Sequence, residues 1–136
     1  MNNSDLIKSA VIARQKSYSP YSGFSVGAAL LCADGTVFTG CNIENSAFSP
    51  TVCAERTAFF KAVSDGKRDF VKIAVVGGAS ELEIPDYHCP PCGVCRQVMK
   101  EFCKPDFEII MAKTPYDYKS MKLLELLPAS FDKREV

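Results

Sequence analysis

Residues 71–76, Val-Lys-Ile-Ala-Val-Val, form an apolar run that Gly77-Gly78 brings to a stop. Such a run suits a strand covered on both faces, and a strand of that kind needs helices on either side of its sheet. This demand sets the fold class before any other segment is read.

The remaining segments supply the cover. Asp5 is placed to cap a first helix in which Leu6, Ile7, Ala10, Val11 and Ala13 or Arg14 follow a 3.6-residue period, with a turn-rich exit over 17–23. Residues 24–32 and 36–41 are β-rich and flank Ala33-Asp34-Gly35, whose Asp-Gly pair favours a tight hairpin. Residues 42–50 read as loop and 51–63 as a helix ending before Ser64-Asp65-Gly66. A further helix is expected over 93–102, a strand over 107–111, and a short last helix over 120–127 stopped by Pro128. The order α, ββ, α, β, α, β, α predicts one domain over 1–136, a three-layer α/β/α fold around a mixed sheet.

Sixteen basic residues balance sixteen acidic ones, so no surplus of positive charge is available for a nucleic-acid backbone, and a small uncharged ligand fits better. No apolar run approaches the roughly 20 residues of a membrane helix, and the polar start Met1 to Asp5 lacks a signal-peptide core. A soluble, cytoplasmic protein without membrane partners is the expectation. Seven cysteines in such a chain read as metal ligands or buried thiols rather than a disulfide framework.

Two cysteine-bearing segments carry the chemistry: Cys53-Ala54-Glu55-Arg56, and Cys89-Pro90-Pro91-Cys92-Gly93-Val94-Cys95. Each lies at a predicted helix start, where the dipole favours thiolate, the form that binds zinc. Cys92 and Cys95 are preferred to Cys89 as a pair, because Pro90 and Pro91 hold the backbone before Cys92 extended. Cys53 as third ligand leaves a tetrahedral zinc one open position, and Glu55 is near enough in sequence to serve a water there. Cys-x-Glu followed by Pro-Cys-x-x-Cys is the pattern of zinc deaminases, in which the glutamate acts as acid and base.

Beyond this pattern, the chain resembles the small homotetrameric cytidine deaminases of the three-cysteine zinc type along nearly its whole length. The matching stretches are Tyr18 to Ser22, Phe24 to Ala29, Gly40 to Asn45, Cys53 to Ala58, Pro91 to Gln97, and Leu126-Leu127-Pro128, in that order. The resemblance implies a central sheet of about five strands, one Zn2+ per subunit on Cys53, Cys92 and Cys95, and proton transfer by Glu55. It further implies ribose hydrogen bonds from Asn42 and Glu44, pyrimidine packing by Phe24, backbone contacts from Ala54, and hydrogen bonds from Arg56 to ligand sulfurs. Phe131 is implied as an aromatic lent by a neighbouring subunit. The expected reaction is hydrolytic deamination of cytidine and 2'-deoxycytidine in pyrimidine salvage. Phe48 stands where relatives often carry tyrosine, and Tyr87-His88-Cys89 adds potential ligands upstream of the expected pair.

Plainer readings compete at each position. A closed zinc site of Cys53, Cys89, Cys92 and Cys95 would be purely structural, as in a binding module, but it leaves Glu55 and the 42–45 segment without a role. His88 reads more simply as a surface residue than as a ligand. Cys32, Cys41 and Cys103 read as small buried apolar side chains, and 132–135 as a solvated charged tail. A deaminase of another aminated pyrimidine, such as a blasticidin-type antibiotic, would share the zinc chemistry. A nucleic-acid editor would need a basic aromatic groove, which this neutral chain lacks.

Overall fold

The computed structural model describes residues 1–133. The elements run α1 (Asn3–Arg14), β1 (Phe24–Cys32), β2 (Val37–Cys41), α2 (Ala54–Ser64), β3 (Phe70–Ala79), α3 (Gly93–Phe102), β4 (Glu108–Thr114), β5 (Asp117–Lys122) and α4 (Leu123–Leu126). They form one mixed sheet of order β2-β1-β3-β4-β5, in which only the β3–β4 pairing is parallel.

Alternation along the strands divides two buried layers. Val26, Ala28 and Leu30 of β1, Ile73 and Val75 of β3, and Ile109 and Met111 of β4 face one side, where Phe59 of α2 and Met99 of α3 pack on them. Ala29, Leu31, Ala74, Val76, Ile110 and Ala112 face the other side, covered by Leu6, Ile7 and Ala10 of α1. The expected α/β/α layering is therefore realised, with α1 alone on one face. The apolar run that demanded double cover is β3, at the centre of the sheet.

Glycine sets how closely two helices approach. A Cβ at Gly27 would lie 2.1 Å from the Ala10 carbonyl oxygen, and one at Gly40 would lie 2.4 Å from the Ala54 carbonyl oxygen. The first lets α1 lie on β1; the second lets the start of α2 lie on β2.

Arg14 is buried at the end of α1, although helix periodicity alone left it interchangeable with Ala13. Its Nε donates to the Ser25 carbonyl at 2.8 Å, Nη2 to those of Gly78 and Ala79 at 3.2 and 2.9 Å, and Nη1 to those of Leu82 and Glu83 at 2.9 and 3.3 Å. Five carbonyls, with no carboxylate, thus fasten α1 to β1, to the end of β3 and to the segment beyond it. Removal from water lowers the pKa of this guanidinium.

Several boundaries differ from expectation: β3 runs on through Gly77-Gly78 to Ala79, because both glycines still pair with β1, and β4 continues to Thr114. Asn2, not Asp5, caps α1: its Oδ1 accepts the Asp5 N–H at 2.8 Å, so Asp5 is the third helical residue, whose amide needs the cap. The second helix begins at Ala54 rather than 51, because Val52 still pairs with Ile43 and Cys53 serves as the extended N-cap. Residues 120–122 belong to β5 rather than to the last helix, which is only Leu123–Leu126. β5 is an exposed edge strand paired with β4, and without a buried face its sequence carries little strand signal.

Candidate active site

Two helix N-termini from distant parts of the chain meet beside β1. Cys53 is the N-cap of α2 and Cys92 the N-cap of α3, each extended, while Cys95 lies one turn further along α3 and is buried. The Cys53 and Cys92 sulfurs are 3.4 Å apart, as are those of Cys92 and Cys95, and all three fall within 4.8 Å of one another. Zinc at about 2.3 Å from each of three tetrahedrally arranged sulfurs would space them about 3.8 Å apart. The cluster therefore fits zinc with small adjustments.

The surrounding groups favour negative charge on these sulfurs. Arg56 Nη2 donates to Cys53 Sγ at 3.5 Å, and its buried Nε has no hydrogen-bond partner among the described residues. The Cys95 N–H points to Cys92 Sγ at 3.5 Å, as expected at a helix N-terminus. Cys53 is drawn down to about 5, first by its hydrogen bond with Cys95, with Arg56 and Cys92 adding and burial opposing. The Cys95 thiol is raised, first by its hydrogen bond with Cys53 and then by burial. Three soft sulfur donors flanked by positive groups suit zinc.

Glu55 sits in the first turn of α2, 3% exposed. Burial, and after it the charge of Cys53, pushes its carboxyl up to about 7. A carboxyl tuned there both accepts and gives protons near neutral pH.

The cysteines open onto a cavity of about 660 Å³. Cys53, Glu55 and Cys92 line one part of it, and Ser22, Phe24, Asn42 and Glu44 another. Glu44 is fixed by the loop before β1: Oε1 accepts the Tyr21 and Ser22 N–H groups at 3.0 and 3.1 Å, and Oε2 accepts the Ser22 hydroxyl. The Ser22 hydroxyl hydrogen bond, ahead of the backbone ones, lowers the Glu44 pKa. Asn42 works on β1 itself, accepting the Val26 N–H at 2.9 Å and donating to the Phe24 carbonyl at 2.8 Å. One proton and one lone pair of its amide remain for another partner.

Of the residues expected at the site, Phe24, Asn42, Glu44, Cys53, Glu55 and Cys92 line the cavity, with Cys95 just beneath. The Ala54 side chain is buried. Phe131 lies outside the cavity of its own chain, 57% exposed, its carbonyl accepting from Gln97 Nε2 at 3.3 Å. His88 pairs with Asp117 at 2.9 Å, and among the described residues neither it nor Cys89 joins the three-sulfur group. Cys32 is buried, whereas Cys41 is half-buried, its thiol 3.4 Å from the Lys16 carbonyl, and Cys103 caps α3. Of the expected tail over 132–135, residues 134 and 135 lie outside the described residues.

Ser22, Tyr87, Cys89 and Arg96 line the cavity without having been singled out as binding residues. Ser22 lies in a stretch that carried the resemblance, which was the available signal. Tyr87 and Cys89 drew notice only as potential ligands, since nothing in a Pro-rich loop sequence reveals which side chains turn inward.

Three thiols and a buried carboxyl beside an open cavity, on a three-layer α/β/α fold, define a zinc-dependent hydrolytic deaminase. The model of the cytidine and deoxycytidylate deaminase zinc-binding region matches residues 1–111. The cytidine deaminase of Sporosarcina psychrophila is 48% identical over 136 residues, covering 100% of this chain and 96% of that protein. That of Halalkalibacterium halodurans is 49% identical, covering 96% and 95%. The crystal structure of the Burkholderia pseudomallei cytidine deaminase superposes with a TM-score of 0.87 at 44% identity, covering 96% of this chain and 100% of that one. The chain belongs to the cytidine and deoxycytidylate deaminase family, and zinc is its metal.

Proposed function

We propose that the 136 residues act as one catalytic domain that converts cytidine and 2'-deoxycytidine to uridine and 2'-deoxyuridine with release of ammonia. The observation that carries this reading is the buried Glu55 beside three converging thiols, in a cavity that also presents the anchored carboxylate of Glu44. Relatives named cytidine deaminases that align over the whole chain support the same substrate.

Cys53, Cys92 and Cys95 would hold the zinc, which when bound would supply the Lewis acidity that makes water a nucleophile near neutral pH. Glu55 takes a proton from water as the water oxygen attacks C4 of the base. Glu55 gives that proton to N3, then takes the proton of the new C4 hydroxyl and gives it to the amino group, so the C4–N bond breaks, ammonia leaves and the C4 carbonyl forms. Its burial favours this role by keeping both protonation states within reach. Arg56 offsets the negative charge of three thiolates through Cys53. Asn42 and Glu44 bind the ribose hydroxyls, Phe24 packs on the pyrimidine, and the Ala54 backbone meets the base.

The enzyme works as a cytoplasmic homotetramer in pyrimidine salvage, with Phe131 reaching a neighbouring subunit's site. The exposure of Phe131 supports that assignment, and no helix of the described residues is long and apolar enough to cross a membrane. The test is the absorbance change of cytidine to uridine for the wild type, Glu55→Gln and Cys92→Ala, with zinc measured in each. Turnover lost in Glu55→Gln with zinc retained supports the mechanism. A wild type silent toward both nucleosides rejects the substrate and favours another aminated pyrimidine or a structural metal.

A further inference from the structure

One part of the cavity wall comes from residues 80–91, between β3 and α3, and is held in place at several points. Arg14 fastens its start through the Leu82 and Glu83 carbonyls. Pro85 lies against Gly78, where a Cβ would come 2.9 Å from the proline Cβ. Cys89, 6% exposed, packs on Gly77, where a Cβ would come 2.9 Å from its sulfur. The Cys89 thiol donates to the Pro90 carbonyl at 3.7 Å, within the same segment. The Tyr87 ring lines the cavity with its centroid 6.2 Å from that of Phe24, the planes inclined by 58°.

We propose that Tyr87 is a second nucleobase-binding residue, forming with Phe24 a two-ring aromatic wall for the pyrimidine. The proposal rests on the nucleoside reading above. The spacing and tilt are those of two aromatic rings in direct contact, so Tyr87 extends the apolar surface that Phe24 presents to the cavity. A phenol that is 41% exposed has every opportunity to hydrate its hydroxyl in solvent. Here the ring lies against Phe24 at the cavity, on a segment that Arg14, Gly77 and Gly78 hold in place.

A ring contact with the base exists equally in substrate, transition state and product, so its loss is felt in binding rather than turnover. The experiment compares wild type, Tyr87→Ala and Tyr87→Phe for kcat and KM with cytidine, for competitive inhibition by uridine, and for zinc content and Tm. In Tyr87→Ala, the KM for cytidine and the inhibition constant of uridine should rise by a common factor of about tenfold, with kcat within about twofold of wild type. Tyr87→Phe should recover most of that loss, because the ring remains. Unchanged constants in Tyr87→Ala overturn the proposal, and so does a fall in kcat that tracks lost zinc or lowered Tm, which makes Tyr87 merely structural. A wild type that turns over neither cytidine nor deoxycytidine overturns the nucleoside reading and this assignment with it.

Discussion

Cys53 and Cys92 are 39 residues apart in the chain, yet their sulfurs lie 3.4 Å apart because each residue is the N-cap of a helix and the two helix starts converge. The extended N-cap conformation and the two helix dipoles converge on the same point, so backbone geometry and electrostatics both prepare the sulfurs for a cation.

Removing the metal should therefore loosen the fold as well as stop the chemistry. At zinc about a thousandfold above its dissociation constant, mass action contributes about 4 kcal/mol, which for a chain of this size corresponds to roughly 10 °C in Tm. Calorimetry with and without a strong chelator should show a drop of that order, and Cys92→Ala should show little further drop on chelation. A Tm indifferent to chelation would separate the thiol cluster from folding.

Arg56→Ala should keep zinc near one per chain and lose turnover by about tenfold or more, because a charge-assisted hydrogen bond to Cys53 Sγ is gone. Metal analysis beside kcat measures both quantities. Unchanged turnover would sink the assignment.

Ser22→Ala removes the hydroxyl that donates to Glu44 and accepts the Phe24 N–H at 3.1 Å. One hydrogen bond of this kind corresponds to a rise in KM of about threefold to tenfold. Zinc content should stay at the wild-type level, since Ser22 is not among the sulfur ligands. Steady-state kinetics with cytidine distinguishes this from general damage, which would lower zinc content and kcat together.

Gly40→Ala puts a methyl 2.4 Å from the Ala54 carbonyl oxygen and 2.6 Å from the Ala58 nitrogen, both backbone atoms that cannot swing aside. Overpacking of this sort costs about 1–3 kcal/mol. Because the displaced turn carries Cys53 and Glu55, denaturant unfolding should report lower stability and dialysis should report faster zinc loss.

Asp34, in the β1–β2 turn, accepts Lys67 Nζ at 2.8 Å. Lys67, with the Thr36 N–H, holds the Asp34 carboxyl below its ordinary 3.8, and Asp34 holds Lys67 above its ordinary 10.5. A lowered acid stabilises the fold above its ordinary value and loses that contribution as pH falls through the lowered one. A raised base contributes below its ordinary value and loses it as pH rises through the raised one. The small Tm deficit of Asp34→Asn should thus be level between about pH 5 and 9, shrink at both extremes, and shrink in high salt. A deficit that grows on acidification would contradict the pairing.

What the sequence determined by itself was local. The apolar run at 71–76 required a doubly covered strand, Asp34-Gly35 marked a hairpin, and the Cys-x-Glu and Pro-Cys-x-x-Cys spacings offered the candidate donors and base, because residue type sets which groups can bind zinc. Tertiary structure decided what depends on partners far along the chain. β5 is a strand only because β4 offers its edge, and Arg14 is a buried clamp only because five carbonyls from β1, β3 and the following loop surround it. Tyr87 reaches the cavity on a segment that packs on β3 where Gly77 and Gly78 leave room for Cys89 and Pro85. These outcomes rest on contacts between segments tens of residues apart, and no local period or motif encodes such contacts.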